Sequence, residues 1–206
     1  MLPRFHLITD FPALDQPALV RLLAVLGAGA GAVDAVQVRA KRASDREVVA
    51  WTRELIALVR PRGTRVIVND RLDLALAAGA DGVHLGREGL PVADARAFAP
   101  AGFLVGATCR SAEHAVRARA DGADYAGVGP VHATTTKLGL PDPLGLDVCA
   151  ATAREIPAIA IGGITAARVR EVMAAGAYGV AVVAAVWEDP DPPGAAREIA
   201  ELVHAP

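Results

Sequence analysis

Cysteine is scarce in this chain: Cys109 and Cys149 are the two it has among 206 residues. A disulfide framework cannot be built from that number in a domain of this length, so the fold must stand on packing. Aromatic side chains make up only 4% of the sequence, which leaves Ala, Val and Leu to fill the interior. No charge of one sign predominates: 21 Lys and Arg face 23 Asp and Glu, for a formal net charge of -2. The basic stripe that nucleic-acid binding needs is missing, and any anionic ligand must be met by a few local groups. No apolar run reaches the roughly 18 residues of a membrane span, and the amino terminus shows no charged-then-apolar leader pattern. These absences lead to the expectation of a soluble, cytoplasmic protein that handles small molecules, with no nucleic-acid or membrane partner; a homo-oligomer stays open.

What the chain has in quantity is apolar residues, 53% of the total. They recur as short runs rich in Val, Ile and Leu, with helix-like segments between: Phe5–Thr9, Ala35–Arg39, Arg65–Asn69, Gly82–Gly86, Leu104–Thr108, Tyr125–Gly129, Ala158–Gly162 and Gly179–Val183. Runs apolar throughout suit strands buried on both faces, as in a parallel sheet. Eight such runs alternating with helices predict an α/β protein of the (β/α)8, or TIM-barrel, class, as one domain over residues 1–206. A barrel of that kind takes about 200 residues or more and builds its sites from the loops at the carboxyl ends of the strands.

The joints between units repeat one phrase: Ala77-Ala78-Gly79-Ala80-Asp81-Gly82, Ala120-Asp121-Gly122-Ala123-Asp124-Tyr125 and Ala174-Ala175-Gly176-Ala177-Tyr178-Gly179. Each is read as a helix end stopped by glycine, followed by a strand start. Ser44 with Glu47 forms the pattern of a capping box, while Ser111 and Thr165 stand where helices should begin. The stretch from His132 to Pro143 has no helical pattern and reads as a long loop after the sixth strand, of the sort that carries function.

Chemistry-bearing residues gather at the predicted strand ends. Period-two alternation puts Gln37, Arg39 and Lys41 on one face of the second strand and its extension; the plainer reading makes the two cations solvated loop charges. Asn69 and Asp70 close the third strand, where hard oxygens suit Mg2+, although Asp70 or Asp73 could simply cap the next helix. Thr134, Thr135, Thr136 and Lys137 follow the sixth strand and offer hydroxyl donors and a compact cation to phosphate oxygens. Gly162 and Gly163 close the seventh strand ahead of a helix start, whose free N–H groups bind anions; a tight turn explains the pair as well. Thr108 could present a hydroxyl to a ligand, whereas Cys109 shows no sign of a nucleophile's lowered pKa and His84 reads as a core histidine.

In this order along the chain, the motifs resemble those of thiamin phosphate synthases, and the resemblance runs end to end. It is carried by Leu7-Ile8-Thr9-Asp10, Gln37-Val38-Arg39-Ala40-Lys41, Val68-Asn69-Asp70, Gly82-Val83-His84-Leu85-Gly86, Gly129-Pro130 with Thr134-Thr135-Thr136-Lys137, and Ile161-Gly162-Gly163-Ile164. The resemblance implies coupling of hydroxymethylpyrimidine diphosphate to a thiazole phosphate with loss of pyrophosphate, a transfer in which the diphosphate departs before the thiazole nitrogen attacks. It implies that Gln37, Arg39, Lys41 and Asn69 hold the pyrimidine diphosphate, that Asp70 binds Mg2+, and that Thr134, Thr136 and Lys137 serve phosphate and pyrophosphate. The Gly163 N–H would bind product phosphate. Arg39, Thr108 and Lys137 are the catalytic candidates, Thr108 standing where the family has Ser. After His84-Leu85-Gly86 the family carries a second metal carboxylate where this chain has Gly89, with Glu88 as a surrogate candidate. That departure keeps two alternatives open: a thiazole tautomerase, whose acid/base histidine falls at Pro130 with His132 two residues on, and a thiazole phosphate-binding regulator without catalysis.

Overall fold

Strands whose side chains alternate between two apolar environments must be covered on both faces, and a closed parallel barrel ringed by helices does so. The computed structural model describes residues 1–9, 16–27, 33–134, 136 and 142–205. Its strands are β1 (Phe5–Thr9), β2 (Ala35–Val38), β3 (Arg65–Asn69), β4 (Gly82–Leu85), β5 (Leu104–Cys109), β6 (Tyr125–Val128), β7 (Ala158–Ile161) and β8 (Gly179–Val182). They pair in chain order, all parallel, and β8 closes on β1. Several stop one residue short of the apolar run that marks them, because the last residue leaves the ladder to start a loop at the carboxyl rim.

The helices are α1 (Gln16–Gly27), α2 (Asp45–Val59), α3 (Leu72–Ala78), α4 (Val92–Phe98), α5 (Ala112–Ala120), α6 (Gly145–Ala153), α7 (Ala166–Ala174), α8 (Ala184–Trp187) and α9 (Pro192–His204). Ser44 opens α2 with the full capping box: its hydroxyl accepts the Glu47 N–H, and Glu47 accepts the Ser44 N–H. Ser111 caps α5 by accepting the His114 N–H. Thr165 occupies the cap position of α7, but its hydroxyl makes no capping bond.

Outward-facing strand residues such as Leu7, Val36, Val68, Val83 and Val128 join the helices in one buried layer. Inward-facing Ile8, Ala35, Ile67, Leu104, Tyr125, Ile159 and Ala181 form a second cluster inside the barrel. The filling of the lumen is therefore mostly apolar at depth, with His6 the buried polar exception on β1, and most polar side chains gather toward the carboxyl rim.

The repeated joint has a purpose at both its glycine and its aspartate. Glycine after the helix takes the left-handed turn that ends it, with φ of 75° at Gly79 and 97° at Gly176. The Asp before the strand accepts backbone N–H groups at the foot of the preceding strand: Asp34 from Arg4 and Phe5, Asp81 from Val66, Asp124 from Val105. Where the phrase carries Tyr178 in place of Asp, the phenol reaches the Leu2 carbonyl instead. These contacts tie odd strands to even ones at the end opposite the functional rim. Asp124 Oδ2 takes both the Val105 N–H at 2.7 Å and an Arg96 N–H at 2.6 Å. Asp124→Ala is accordingly expected to cost about 2 kcal/mol, as loss of a charge-assisted bond to a half-buried amide does, with turnover unaltered; urea unfolding beside an activity assay measures both.

Candidate active site

The carboxyl rim encloses a cavity of about 560 Å3, within the range of small-molecule sites. Its walls draw on nearly every strand. From β2 and its extension come Gln37, Arg39 and Lys41; from β3 Asn69 and Asp70; from β4 His84; from β5 Thr108; from the loop after β6 Thr134 and Thr136; and after β7 Gly163. Alternation thus holds past the end of β2, and these sequence-based candidates surround one space. Lys137 and Thr135 lie outside the described residues, as does Asp10.

Each wall is held by its own contacts. The Arg39 N–H donates to Thr9 Oγ1 at 3.3 Å, and that hydroxyl donates to the Gln37 carbonyl at 3.2 Å, so β1 fixes the extension of β2. Asp70 adopts φ 64°, a left-handed conformation that Asp tolerates better than most residues. It is held there by two contacts with β4: its N–H donates to the His84 carbonyl at 2.8 Å, and its Oδ1 accepts the Gly86 N–H at 3.0 Å. The Asp70 carboxylate therefore bridges two strand ends rather than capping α3, and Asp73 pairs with Arg71. The buried Asn69 Oδ1 has no hydrogen-bond partner among the described residues, and Asn69 lines the cavity. An unmet acceptor in such a place is costly unless a ligand supplies the donor.

The floor is a polar network centred on Tyr125, which is fully buried. His84 Nδ1 lies 3.2 Å from the Tyr125 hydroxyl and Nε2 lies 3.1 Å from Thr108 Oγ1. Both partners are hydroxyls, so either imidazole tautomer is served. Burial, partly opposed by the Asp70 charge, pushes the His84 pKa down to about 4, which keeps the ring neutral at physiological pH. Gly127 makes room for it: a Cβ there would stand 2.6 Å from His84 Cε1. His84 is a satisfied histidine, as its sequence context indicates, yet its ring also faces the cavity. Cys109 points away from the lumen into the layer beneath the helices, and burial raises its thiol to about 11, which excludes it as a nucleophile.

Two sequence-based candidates fall elsewhere. Glu88 is exposed on the turn after β4 and does not line the cavity, because that turn folds back on itself through the Gly89 N–H to Gly86 carbonyl bond. His132 likewise faces away: its Nε2 is 3.3 Å from Glu171 Oε1 on α7, near enough for an ion pair. The glycines after β7 are tighter than a turn alone requires. A Cβ on Gly163 would meet the Ala133 carbonyl at 2.4 Å, so this backbone packs directly against the Thr134 loop.

One wall residue carries no mark along the sequence. Arg168 lines the cavity and donates from Nη1 to the Gly163 carbonyl at 2.8 Å. Its position three residues after Thr165 places it over the same first turn of α7, a signal that only the cap assignment makes legible. With Arg39 and Lys41 it brings the cations of the lining to three among the described residues, against the single carboxylate of Asp70.

Fold and cavity together define a (β/α)8-barrel protein with a largely apolar, cation-rimmed small-molecule site at the carboxyl ends of its strands. The chain belongs to the thiamine monophosphate synthase family, whose model matches residues 6–186. It is 48% identical over 208 residues to the thiamine-phosphate synthase of Salinispora arenicola, covering 99% of this chain and 97% of that one. The thiamine-phosphate synthase of Methanoculleus marisnigri is 46% identical over 184 residues, covering 86% and 85%. Among solved structures, the thiamine phosphate pyrophosphorylase from Pyrococcus furiosus superposes with a TM-score of 0.84 at 35% identity, covering 97% of this chain and 95% of that one. A 3-hexulose-6-phosphate synthase at 21% identity and TM-score 0.70 shares the fold.

Proposed function

We infer that this protein is a thiamine-phosphate synthase, a transferase that joins hydroxymethylpyrimidine diphosphate to a thiazole phosphate. The observation that carries this reading is the imbalance of charge at the cavity: Arg39, Lys41 and Arg168 against Asp70, in a protein whose formal net charge is -2. Such a concentration of cations suits two phosphorylated substrates. In the reaction the bond between the pyrimidine methylene carbon and the diphosphate oxygen breaks, and the diphosphate leaves with the electron pair. The thiazole nitrogen then gives its lone pair to the same carbon. The protein's work is to hold the two rings in line and to stabilise the departing charge. We assign the second task to Arg39, Lys41 and Lys137, orientation of the pyrimidine to Gln37 and Asn69, and the phosphate end to Thr134, Thr136, Gly163 and Arg168. Thr108 closes the floor beside the reacting carbon. The tautomerase reading loses its support because His132 is turned toward Glu171 and does not line the cavity. A cytoplasmic setting suits the two free, buried cysteines.

Mg2+ fits this rim in one particular way. No cluster of three His, Cys, Asp or Glu side chains that could hold a metal exists among the described residues, and Asp70 is the carboxylate at hand. Mg2+ is commonly held by one or two carboxylates with substrate phosphate oxygens and water completing the shell. We propose that Asp70 binds Mg2+ together with the diphosphate, where the ion supplies charge neutralisation for the leaving group. Gly89 has an ordinary backbone conformation, and a Cβ on it would stand 3.3 Å from the Gly86 carbonyl and 3.7 Å from the Gly86 N–H that Asp70 engages. Gly89→Asp should therefore bring a second carboxylate toward Asp70. It is expected to lower the Mg2+ concentration for half-maximal rate roughly tenfold, equivalent to about 1.4 kcal/mol. An unchanged requirement would show that substrate oxygens already saturate the ion.

The direct test is incubation of the purified protein with both substrates, with and without Mg2+, followed by detection of thiamin phosphate and pyrophosphate. Parallel incubation with the carboxylated thiazole phosphate tests for isomerisation. Product only in the second assay would replace the synthase assignment with the tautomerase one.

A further inference from the structure

His6, on β1 beneath the cavity, is fully buried, and no role follows for it from the transfer reaction itself. Its two ring nitrogens have different partners. Nε2 lies 3.2 Å from the Pro3 carbonyl oxygen, and Nδ1 lies 2.8 Å from Gln37 Nε2. A carbonyl can only accept, so the ring proton sits on Nε2 and Nδ1 is a bare acceptor. The Gln37 carboxamide must then turn its NH2 toward His6, since the flipped arrangement would set two lone pairs against each other. Burial holds the His6 pKa down near 4, so the ring remains neutral and this logic holds at physiological pH. Tyr125 stands against the imidazole at a ring-centroid distance of 5.3 Å and prevents it from swinging away.

The geometry points to His6 as a positioning residue that sets the polarity of the Gln37 amide, so that the cavity is offered a carbonyl acceptor beside the remaining N–H donor in one fixed order. An amide of fixed polarity reads a complementary edge: an amino N–H donor next to a bare ring nitrogen, the edge of an aminopyrimidine. The same amide, free to flip, would accept an oxo-pyrimidine equally well. This rests on the synthase reading for its substrate, while the hydrogen-bond order is independent of it. A buried polar site rejects a ligand that leaves its groups unpaired far more strongly than a shape mismatch would.

The test compares wild type, His6→Leu and His6→Asn with two substrates, the aminopyrimidine diphosphate and an analogue carrying an oxo group in place of the amino group. Asn places an acceptor oxygen close to the position of His6 Nδ1. In His6→Leu the KM for the aminopyrimidine is expected to rise about tenfold, with the KM for the thiazole phosphate unchanged and the preference over the oxo analogue reduced to near unity. His6→Asn is expected to restore KM through the renewed hydrogen bond but only part of the preference, because its own amide can flip together with that of Gln37. If His6→Leu keeps the preference, or raises both KM values together, His6 is only a packing residue and the proposal fails. Nitrogen-15 NMR of histidine-labelled wild type decides the tautomer without any turnover: a protonated Nε2 is required, and a protonated Nδ1 overturns the proposal even if thiamin phosphate is formed. Absence of product from wild type, with Nε2 protonated, would instead overturn the synthase reading and leave the hydrogen-bond order standing.

Discussion

Arg39→Ala is expected to lower turnover by about 10²–10³, the loss typical when one preorganised donor to a developing negative charge is removed. The side chain lies at the mouth, half-buried, and lines the cavity. Its backbone is held by Thr9 whatever the side chain, through the 3.3 Å bond from the Arg39 N–H. Truncation therefore leaves the strand extension in place, and the melting temperature should move by no more than about 2 °C, as for a mutation costing under 1 kcal/mol in a chain of this size. The loss should appear in kcat as well as in kcat/KM, because charge on the leaving diphosphate grows only as the bond breaks. Arg39→Lys tests the geometry: it keeps the charge but loses the planar fork that meets two phosphate oxygens at once, so it should recover part of the rate and not all of it. Steady-state kinetics with differential scanning calorimetry on the same preparations separates these effects. A rate in Arg39→Ala within twofold of wild type would remove Arg39 from the reaction.

What could be read from the sequence, and what could not, divides along a physical line. Strand positions were legible because burial on both faces forces apolar residues at consecutive positions, whereas a strand with one wet face would alternate. The site was legible wherever a side chain closes or extends such a run: Arg39, Lys41 and Asn69 face the lumen by alternation, while Asp70 reaches it only through the left-handed turn at φ 64°. Residues that depend on how a loop folds were not. Glu88 is adjacent to a rim glycine in sequence, but the turn after β4 closes through the Gly89 N–H and leaves its carboxylate outside. His132 is separated from Pro130 by one residue, yet it faces α7 because Glu171 is there. Arg168 and His6 were missed for a related reason. The first acquires its place from the turn of α7 and the Gly163 carbonyl, the second from a partner on the neighbouring strand, Gln37, and neither pairing is visible along the chain, although both partners are. The Asp residues at the strand feet illustrate the opposite case: their repetition was plain in the sequence, and only the paired strands give it a cause.

Acid should destabilise this protein in a window set by its two lumenal histidines. His6 and His84 ordinarily titrate near 6.5, and burial lowers both to about 4 in the folded state. A depressed histidine pKa means that the unfolded chain binds the proton first. The stabilisation is complete above pH 6.5 and is lost as pH falls from 6.5 toward 4. By pH 5 the loss is about 2 kcal/mol for an imidazole as deeply buried as His6, and less for His84, whose ring borders the open cavity. The depressed carboxylates do not share this window. Asp45 and Asp73, held down chiefly by hydrogen bonds from Arg71, and Glu47, held down chiefly by Ser44, start from ordinary values of 3.8 to 4.5, so their contribution disappears only at lower pH. Urea unfolding at pH 7.5, 6 and 5 should therefore show a falling midpoint with an unchanged slope. His6→Asn, which has no proton to gain, should lose less stability across the same range, by about the His6 share. If wild type and His6→Asn decline in parallel, the imidazole of His6 is not the group that takes up the proton on unfolding, and the acid window belongs to His84 alone.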